Sequence, residues 1–256
     1  ASMELTAAGY QAFQMPDDKL PIFYRNDYNI ELFGLEKLHP FDSKKYGRIF
    51  DLLVDTGIIK AEETIQPPLL SNELLQRAHS KEYLDSLQSS VKLSQILEIP
   101  IVAQVPPELT HQYVLGPLRY AASGTVLSAK AALERGWAIN LGGGFHHAHA
   151  TDASGFCPFA DISLAVQMLR SSTKKPLKVM VLDLDAHQGN GHERDFLGDK
   201  NTFIVDFFNA GIYPDDGPAK KAISLSVPVR RGIRDEEYLG MLKKALSETE
   251  ERFKPD

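Results

Sequence analysis

Two short stretches of this chain hold side chains with chemistry to offer. The first is Asn140-Leu-Gly-Gly-Gly-Phe-His-His-Ala-His149, at the end of a short apolar run from Trp137. Three consecutive glycines permit a tight backbone with positive φ. Adjacent residues on an extended backbone point to opposite sides. His146 and His147 therefore serve one place only if the chain bends, and the glycines supply the bend. Imidazoles titrate near neutral pH, which suits them to take and return protons.

The second stretch is Asp183-Leu-Asp-Ala-His-Gln-Gly-Asn-Gly-His192. Asp185 and His187 are two positions apart and are expected to face one point. A carboxylate oxygen and an imidazole nitrogen at ~2.0–2.2 Å are suitable zinc ligands. Asp183, one strand repeat earlier, is expected on the same side, placed to accept a histidine N–H and fix its tautomer. Each stretch alone has an ordinary reading, as a loop histidine pair or as helix-capping carboxylates. Two such strand ends in one chain, each running into a glycine-containing loop, favour a catalytic metal site. His149 and His192 are read as structural or surface groups, and His39, His79 and His111 as isolated.

Such groups need strand ends to hold them. Lys178 to Asp185 is almost continuously apolar until its end, as a parallel strand covered on both faces should be. Ile22–Tyr24, Trp137–Asn140, Thr202–Asp206 and Ile223–Val229 are further expected strands. Helices alternate with them. One is capped by Asp42 or Ser43, stops at Gly57, and buries Tyr46, Ile49, Phe50, Leu53 and Val54. Others follow Ser80, run from Val114 to Glu134, from Ala160 to Leu169, and from Asp235 to Phe253. The alternation predicts an α/β fold, with functional groups at the carboxyl ends of the strands.

Composition narrows the function. The chain has 256 residues, 43% of them hydrophobic and 24% charged, which allows a sizeable core. A net charge of −6 gives no general attraction to nucleic acid or to an acidic membrane surface, but does not oppose a lysine-rich substrate. The single cysteine, Cys157, cannot form a disulfide within the chain, which points to cytoplasm or nucleus. No apolar run approaches the ~18 residues of a membrane helix, and Ala1 to Met15 carries no secretory pattern.

The motifs also resemble a known family. Gly142-Gly-Gly-Phe-His-His147, Gly155-Phe-Cys157, Ala160-Asp-Ile-Ser163 and Asp183-Leu-Asp-Ala-His-Gln-Gly-Asn-Gly-His-Glu193 resemble the zinc-dependent histone deacetylases in order and spacing. Gln188, Asn190, His192-Glu-Arg-Asp195, Ile212-Tyr-Pro214, Arg25-Asn-Asp-Tyr28 and Leu35-Glu-Lys-Leu-His-Pro40 resemble the class IV branch of that family. The likeness runs from about Leu20 to Asp256. It implies a three-layer α/β/α arrangement with a mainly parallel sheet, of the arginase-deacetylase type. It implies zinc held by Asp185, His187 and a second aspartate, with His147 as general base and acid. His146 would be its electrostatic partner, oriented by Asp183, and Asn190 would orient His147. An uncharged Asn190, where other branches carry aspartate, leaves His147 less basic. Gly155, Phe156 and Tyr213 would line a tunnel for an acylated lysine of a histone or another protein. A monovalent cation such as K+ would sit among Asp183, Asp206 and the carbonyls of Asp185, His187 and Phe207.

The sequence departs from the family pattern in two places. Lys45 stands where some branches place an arginine near an internal channel, keeping the charge without the planar fork. The strings Asn-Ala-Gly-Thr-Asp, which carries the second aspartate, and Gly-Gly-Tyr, which carries an oxyanion-stabilising tyrosine, do not occur. Residues 1–19 are expected to form an extension and residues 20–256 a catalytic domain incomplete at its C-terminus. As given, the chain is expected to have little activity alone. Two other functions fit the same residues: hydrolysis of acetylpolyamines or other small amides, and a non-catalytic binding module.

Overall fold

A computed structural model describes residues 4–256. The chain divides into two compact units, Ala1–Ser172 and Thr173–Asp256. The first three residues of the sequence lie outside the described part.

In the first unit four two-residue strands form two parallel pairs. β1 (Glu4–Leu5) pairs with β3 (Leu69–Leu70), and β2 (Ile22–Phe23) with β4 (Ile139–Asn140). Helices α1 (Ala7–Ala12), α2 (Lys45–Asp55), α3 (Asn72–Ala78), α4 (Lys81–Ser86), α5 (Ser90–Ile96), α6 (Pro107–Thr110), α7 (Gly116–Arg135) and α8 (Asp161–Ser171) surround them. Residues ahead of Leu20, read from sequence as an extension, are built into this unit. β1 is hydrogen-bonded there, and Tyr10 of α1 is fully buried.

α7 ends as its sequence demands, with Gly136 in the left-handed region at φ +81. Its small residues Ala121, Ala122, Ser123 and Gly124 are buried. A β-carbon at Gly124 would overlap the Tyr28 hydroxyl and the Asn140 amide, so only glycine lets this helix approach the end of β4 so closely. Tyr10, Phe23, Tyr28, Leu74, Leu93 and Phe159 are 2% exposed or less and anchor the core. Each buried side chain of this size contributes about 1.5–3 kcal/mol.

Two expectations for α2 fail. It begins at Lys45 without a side-chain cap. Ser43 is buried and donates to the Ile30 carbonyl at 3.1 Å, while Asp42 accepts from the Lys44 N–H at 3.1 Å, ahead of the helix. Both expected caps are therefore committed elsewhere. Ile49 is 44% exposed; the inward stripe is Tyr46 and Gly47, with Phe50, Leu53 and Val54 partly covered.

The second unit is a parallel three-stranded sheet in the order β5 (Val179–Asp183), β6 (Thr202–Asn209), β7 (Leu225–Val229), with α9 (Asn190–Asp195) and α10 (Asp235–Arg252). Met180 and Leu182 of β5, Phe203, Val205 and Phe207 of β6, and Val227 of β7 pack with Tyr238, Met241, Leu242 and Ala245 of α10. Alternation then assigns Asp183 and Asp206 to the other face, where they are register partners. The strand covered along nearly its whole length is β6; β5, expected to be the buried one, is half-exposed along its length because it lies at the edge of this sheet. Among the described residues no helix is long and apolar enough to cross a membrane.

Candidate active site

The glycine turn behaves as the sequence predicts. Gly143 and Gly144 take φ of +73 and +72, where other residues are strained. His146 and His147 follow, 8% and 4% exposed, their ring centroids 4.0 Å apart. The turn is tied at both sides. Asn140 accepts from the Tyr28 hydroxyl at 2.8 Å and donates to the Ala121 carbonyl and the Thr125 hydroxyl. Asp161, fully buried at the start of α8, accepts from the N–H groups of Gly144 and Phe145.

Gly155 and Phe156, predicted to contact substrate, hold unusual backbone, with φ of +53 and +64. A β-carbon at Gly155 would overlap the His147 imidazole, so this glycine makes room for that ring. The Phe156 N–H donates to the Ile96 carbonyl at 2.8 Å. Its ring stacks on Phe41 at 4.6 Å, and His39 lies 5.5 Å away. Phe41 does not stand out in the sequence, and His39, part of the Leu35–Pro40 string, reads there as an isolated histidine. Lys45 places its ammonium 4.5 Å from the Phe41 ring centroid.

His79 is likewise not an idle histidine. Its Nε2 accepts from the Ala160 N–H at 2.9 Å, and the next residue, Ser80, donates its N–H to the Ala150 carbonyl at 2.8 Å. The two residues clamp both ends of the loop that carries Gly155 and Phe156. Burial pushes the His79 pKa down to about 4, against a small opposing pull from the carbonyls of His149 and Ala150.

In the second unit the candidate metal ligands lie past the end of β5, in a bend rather than on the strand itself. Asp185 accepts the His187 N–H at 2.8 Å and lies 3.0 Å from His187 Nδ1. Their shared direction thus comes from a side-chain-closed turn, not from strand alternation. The Tyr213 ring sits edge-on to His187, 6.1 Å between centroids. Asn190 donates to Asp216 at 3.3 Å, and Asp216 is held by two hydrogen bonds from Arg194.

Asp183 accepts the Asp185 N–H and meets His192 Nε2 at 2.9 Å. His192 is 1% exposed, so of the two readings it is the structural one that holds: it is a buried hydrogen-bond partner of Asp183, not a surface group. The signal for it was its place in the glycine-flanked motif, seven residues after Asp185. Asp206 and Glu193 are fully buried. Burial, then the hydrogen bond to Glu193 and the charge of Asp183, push the Asp206 carboxyl up to about 8; burial also raises Glu193. Gln188, in the same motif, donates to Glu193 at 2.5 Å and accepts the Asp216 N–H.

Zinc can be tested against these donors. In a tetrahedral site two ligands at ~2.0–2.2 Å lie roughly 3.3 Å apart. Asp185 Oδ1 and His187 Nδ1, 3.0 Å apart and about half-exposed, fit that requirement. Among the described residues no group of three or more His, Cys, Asp or Glu side chains is arranged to hold a metal. Asp183, Glu193 and Asp206 form a buried acidic cluster in which Asp206 and Glu193 are hydrogen-bonded to each other, and a bound cation would favour their ionised forms.

With this geometry in place the class is defined: residues 39–256 match the histone deacetylase domain, and the chain belongs to the histone deacetylase family. Histone deacetylase 2 of Arabidopsis thaliana is 45% identical over 248 residues, 95% of this chain and 63% of that protein. The acetoin utilization protein AcuC of Bacillus subtilis is 27% identical, over 91% of this chain and 62% of its own length. The chain thus spans under two thirds of these relatives. A solved structure of a histone deacetylase homologue complexed with SAHA superposes with a TM-score of 0.69 at 22% identity, covering 93% of this chain and 66% of the other. The fold is therefore the arginase-deacetylase fold, with all named strand pairs parallel.

Proposed function

We propose that this chain supplies most of the catalytic domain of a zinc-dependent hydrolase that removes acyl groups from protein lysine side chains. The observation that carries the proposal is the pairing of Asp185 Oδ1 with His187 Nδ1 at a strand end, in a chain of the histone deacetylase family. Zinc, when bound by these two residues and a further carboxylate, would polarise the acyl carbonyl and a water. His147 takes the proton of the water and returns it to the leaving amine. His146 balances the charge of that transfer, and Asp183 and Asn190 are assigned to orienting histidines. Gly155, Phe156 and Tyr213 contact the lysine stem and the acyl group. A K+ ion held by Asp183 and Asp206 would let both carboxyls stay ionised.

The finer assignment is to the class IV branch, with long fatty acyl groups removed better than acetyl. The motif strings around Asn190, Ile212 and Leu35 support the branch. Partly exposed Tyr213 beside His187 supports an apolar wall for the chain. We place the protein in the nucleus, the cytoplasm or both, acting on histones or other acylated proteins without binding nucleic acid directly.

The test uses the full-length protein. Asp185→Ala and His187→Ala are each expected to abolish zinc binding and deacylation; zinc content near wild type in either variant would refute the ligand assignment. Comparing kcat/KM on myristoyl-lysine, acetyl-lysine and acetylated polyamine then decides the substrate. A clear acetyl preference ends the long-chain proposal, and a polyamine preference replaces the protein substrate.

A further inference from the structure

Asp161 is a fully buried carboxylate that does none of the chemistry described above. Its two oxygens are saturated with donors from two other elements. Oδ1 accepts the Phe145 N–H at 2.8 Å, while Oδ2 accepts the Gly144 N–H at 2.8 Å and the Thr125 hydroxyl of α7 at 2.6 Å. The Ile162 N–H of its own helix adds a fourth. Burial pushes its carboxyl up to about 6, and these hydrogen bonds pull against that rise. A buried carboxyl is costly unless paired or hydrogen-bonded in this way.

Gly144 and Phe145 are the two residues immediately before His146 and His147. Gly143, just ahead, is pressed so close that a β-carbon would overlap the Thr125 hydroxyl and sit 2.6 Å from Asp161 Oδ2. The backbone of this turn carries positive φ at Gly143 and Gly144, which is flexible without an external tie. One carboxylate grips two successive N–H groups, so it fixes both the position and the tilt of the peptide planes from which the histidines project.

We propose that Asp161 is the positioning residue of the histidine pair, acting through the glycine turn and not through substrate. This rests on the reading of His146 and His147 as the proton-transfer groups. The geometry makes a sharp distinction between substitutions. In Asp161→Asn an NH2 must replace one oxygen, and either oxygen already faces a backbone N–H. One N–H is then left without an acceptor and pressed against another donor. Thr125→Val removes the hydroxyl donor at nearly constant volume, and Thr125→Ser retains it.

The experiment uses the full-length, zinc-loaded protein. For Asp161→Asn, kcat is expected to fall roughly 10²-fold, the order of loss that a 1 Å misplacement brings, with KM and zinc content near wild type. The ring nitrogen signals of His146 and His147 in histidine-labelled protein are expected to move. Wild-type kcat together with unmoved ring signals would overturn the proposal. A wild-type protein without deacylase activity would refute the functional reading instead, and the ring signals would still decide the role of Asp161. Should Asp161→Asn not fold, Thr125→Val, which removes the hydroxyl's bonds to both Asp161 and Asn140, is expected to lower kcat at least about tenfold, with Thr125→Ser near wild type. Equal kcat in the valine and serine variants would then overturn it.

Discussion

Acidification should unfold the first unit partly through one histidine. His79 is 5% exposed, and burial pushes its pKa down to about 4 from an ordinary 6.5. As pH falls through 6.5 the unfolded chain takes up a proton there, while the folded chain refuses it until about 4. Between those values the unfolded state binds more protons, so stability falls with falling pH. At 1.36 kcal/mol per pH unit between 6.5 and about 4, the loss is at most about 3.4 kcal/mol. Asp161 works in the opposite direction: its carboxyl is raised to about 6, so its protonation on acidification favours the folded state. The two effects separate by comparing wild type with His79→Gln, whose side-chain oxygen can still accept the Ala160 N–H but cannot titrate. Urea unfolding from pH 7 to pH 4 is the assay. The gap between the two proteins is expected to change by up to about 3.4 kcal/mol across this range, the variant being the less sensitive to acid. Parallel stability curves would show that His79 accepts a proton in the fold, and the account of its burial would be wrong. The same acidification should loosen the loop carrying Gly155 and Phe156, because protonated Nε2 can no longer accept the Ala160 N–H.

Other substitutions follow from the same contacts. Gly155→Ala forces a residue with a β-carbon to φ +53, against the His147 ring; it should cost about 1–2 kcal/mol in backbone strain and lower kcat, and an unchanged kcat would show that the His147 ring has room to move. Two histidines five residues apart should differ in how much stability each contributes. His192→Ala removes a buried hydrogen-bond partner of the Asp183 carboxylate, at a cost of about 1.5–3 kcal/mol. His187→Ala, at a half-exposed position, should cost under about 1 kcal/mol, and calorimetry showing equal losses would contradict the burial argument.

The sequence alone determined most of the elements and pointed to the candidate chemistry. Apolar runs of strand length, Gly136 as a helix stop, and Ser80 as a cap are local signals, and each is met in the structure. The string from Asp183 to His192 named the candidate metal ligands because side chains two apart in a short segment stay near one another whatever surrounds them. Tertiary structure decided which groups are buried and what they face. Asp161 reads as an ordinary first-turn acid, yet it reaches the backbone N–H groups of residues 16 and 17 positions earlier. His79 meets Ala160 across 81 residues of sequence, and Phe41 stacks on Phe156 across a still longer gap. β6, and not β5, became the covered strand because strand order, which periodicity does not encode, put it in the middle. Such long-range pairings carry no local pattern: a buried polar group is satisfied by whichever donor the fold delivers, and only the packed chain specifies that donor.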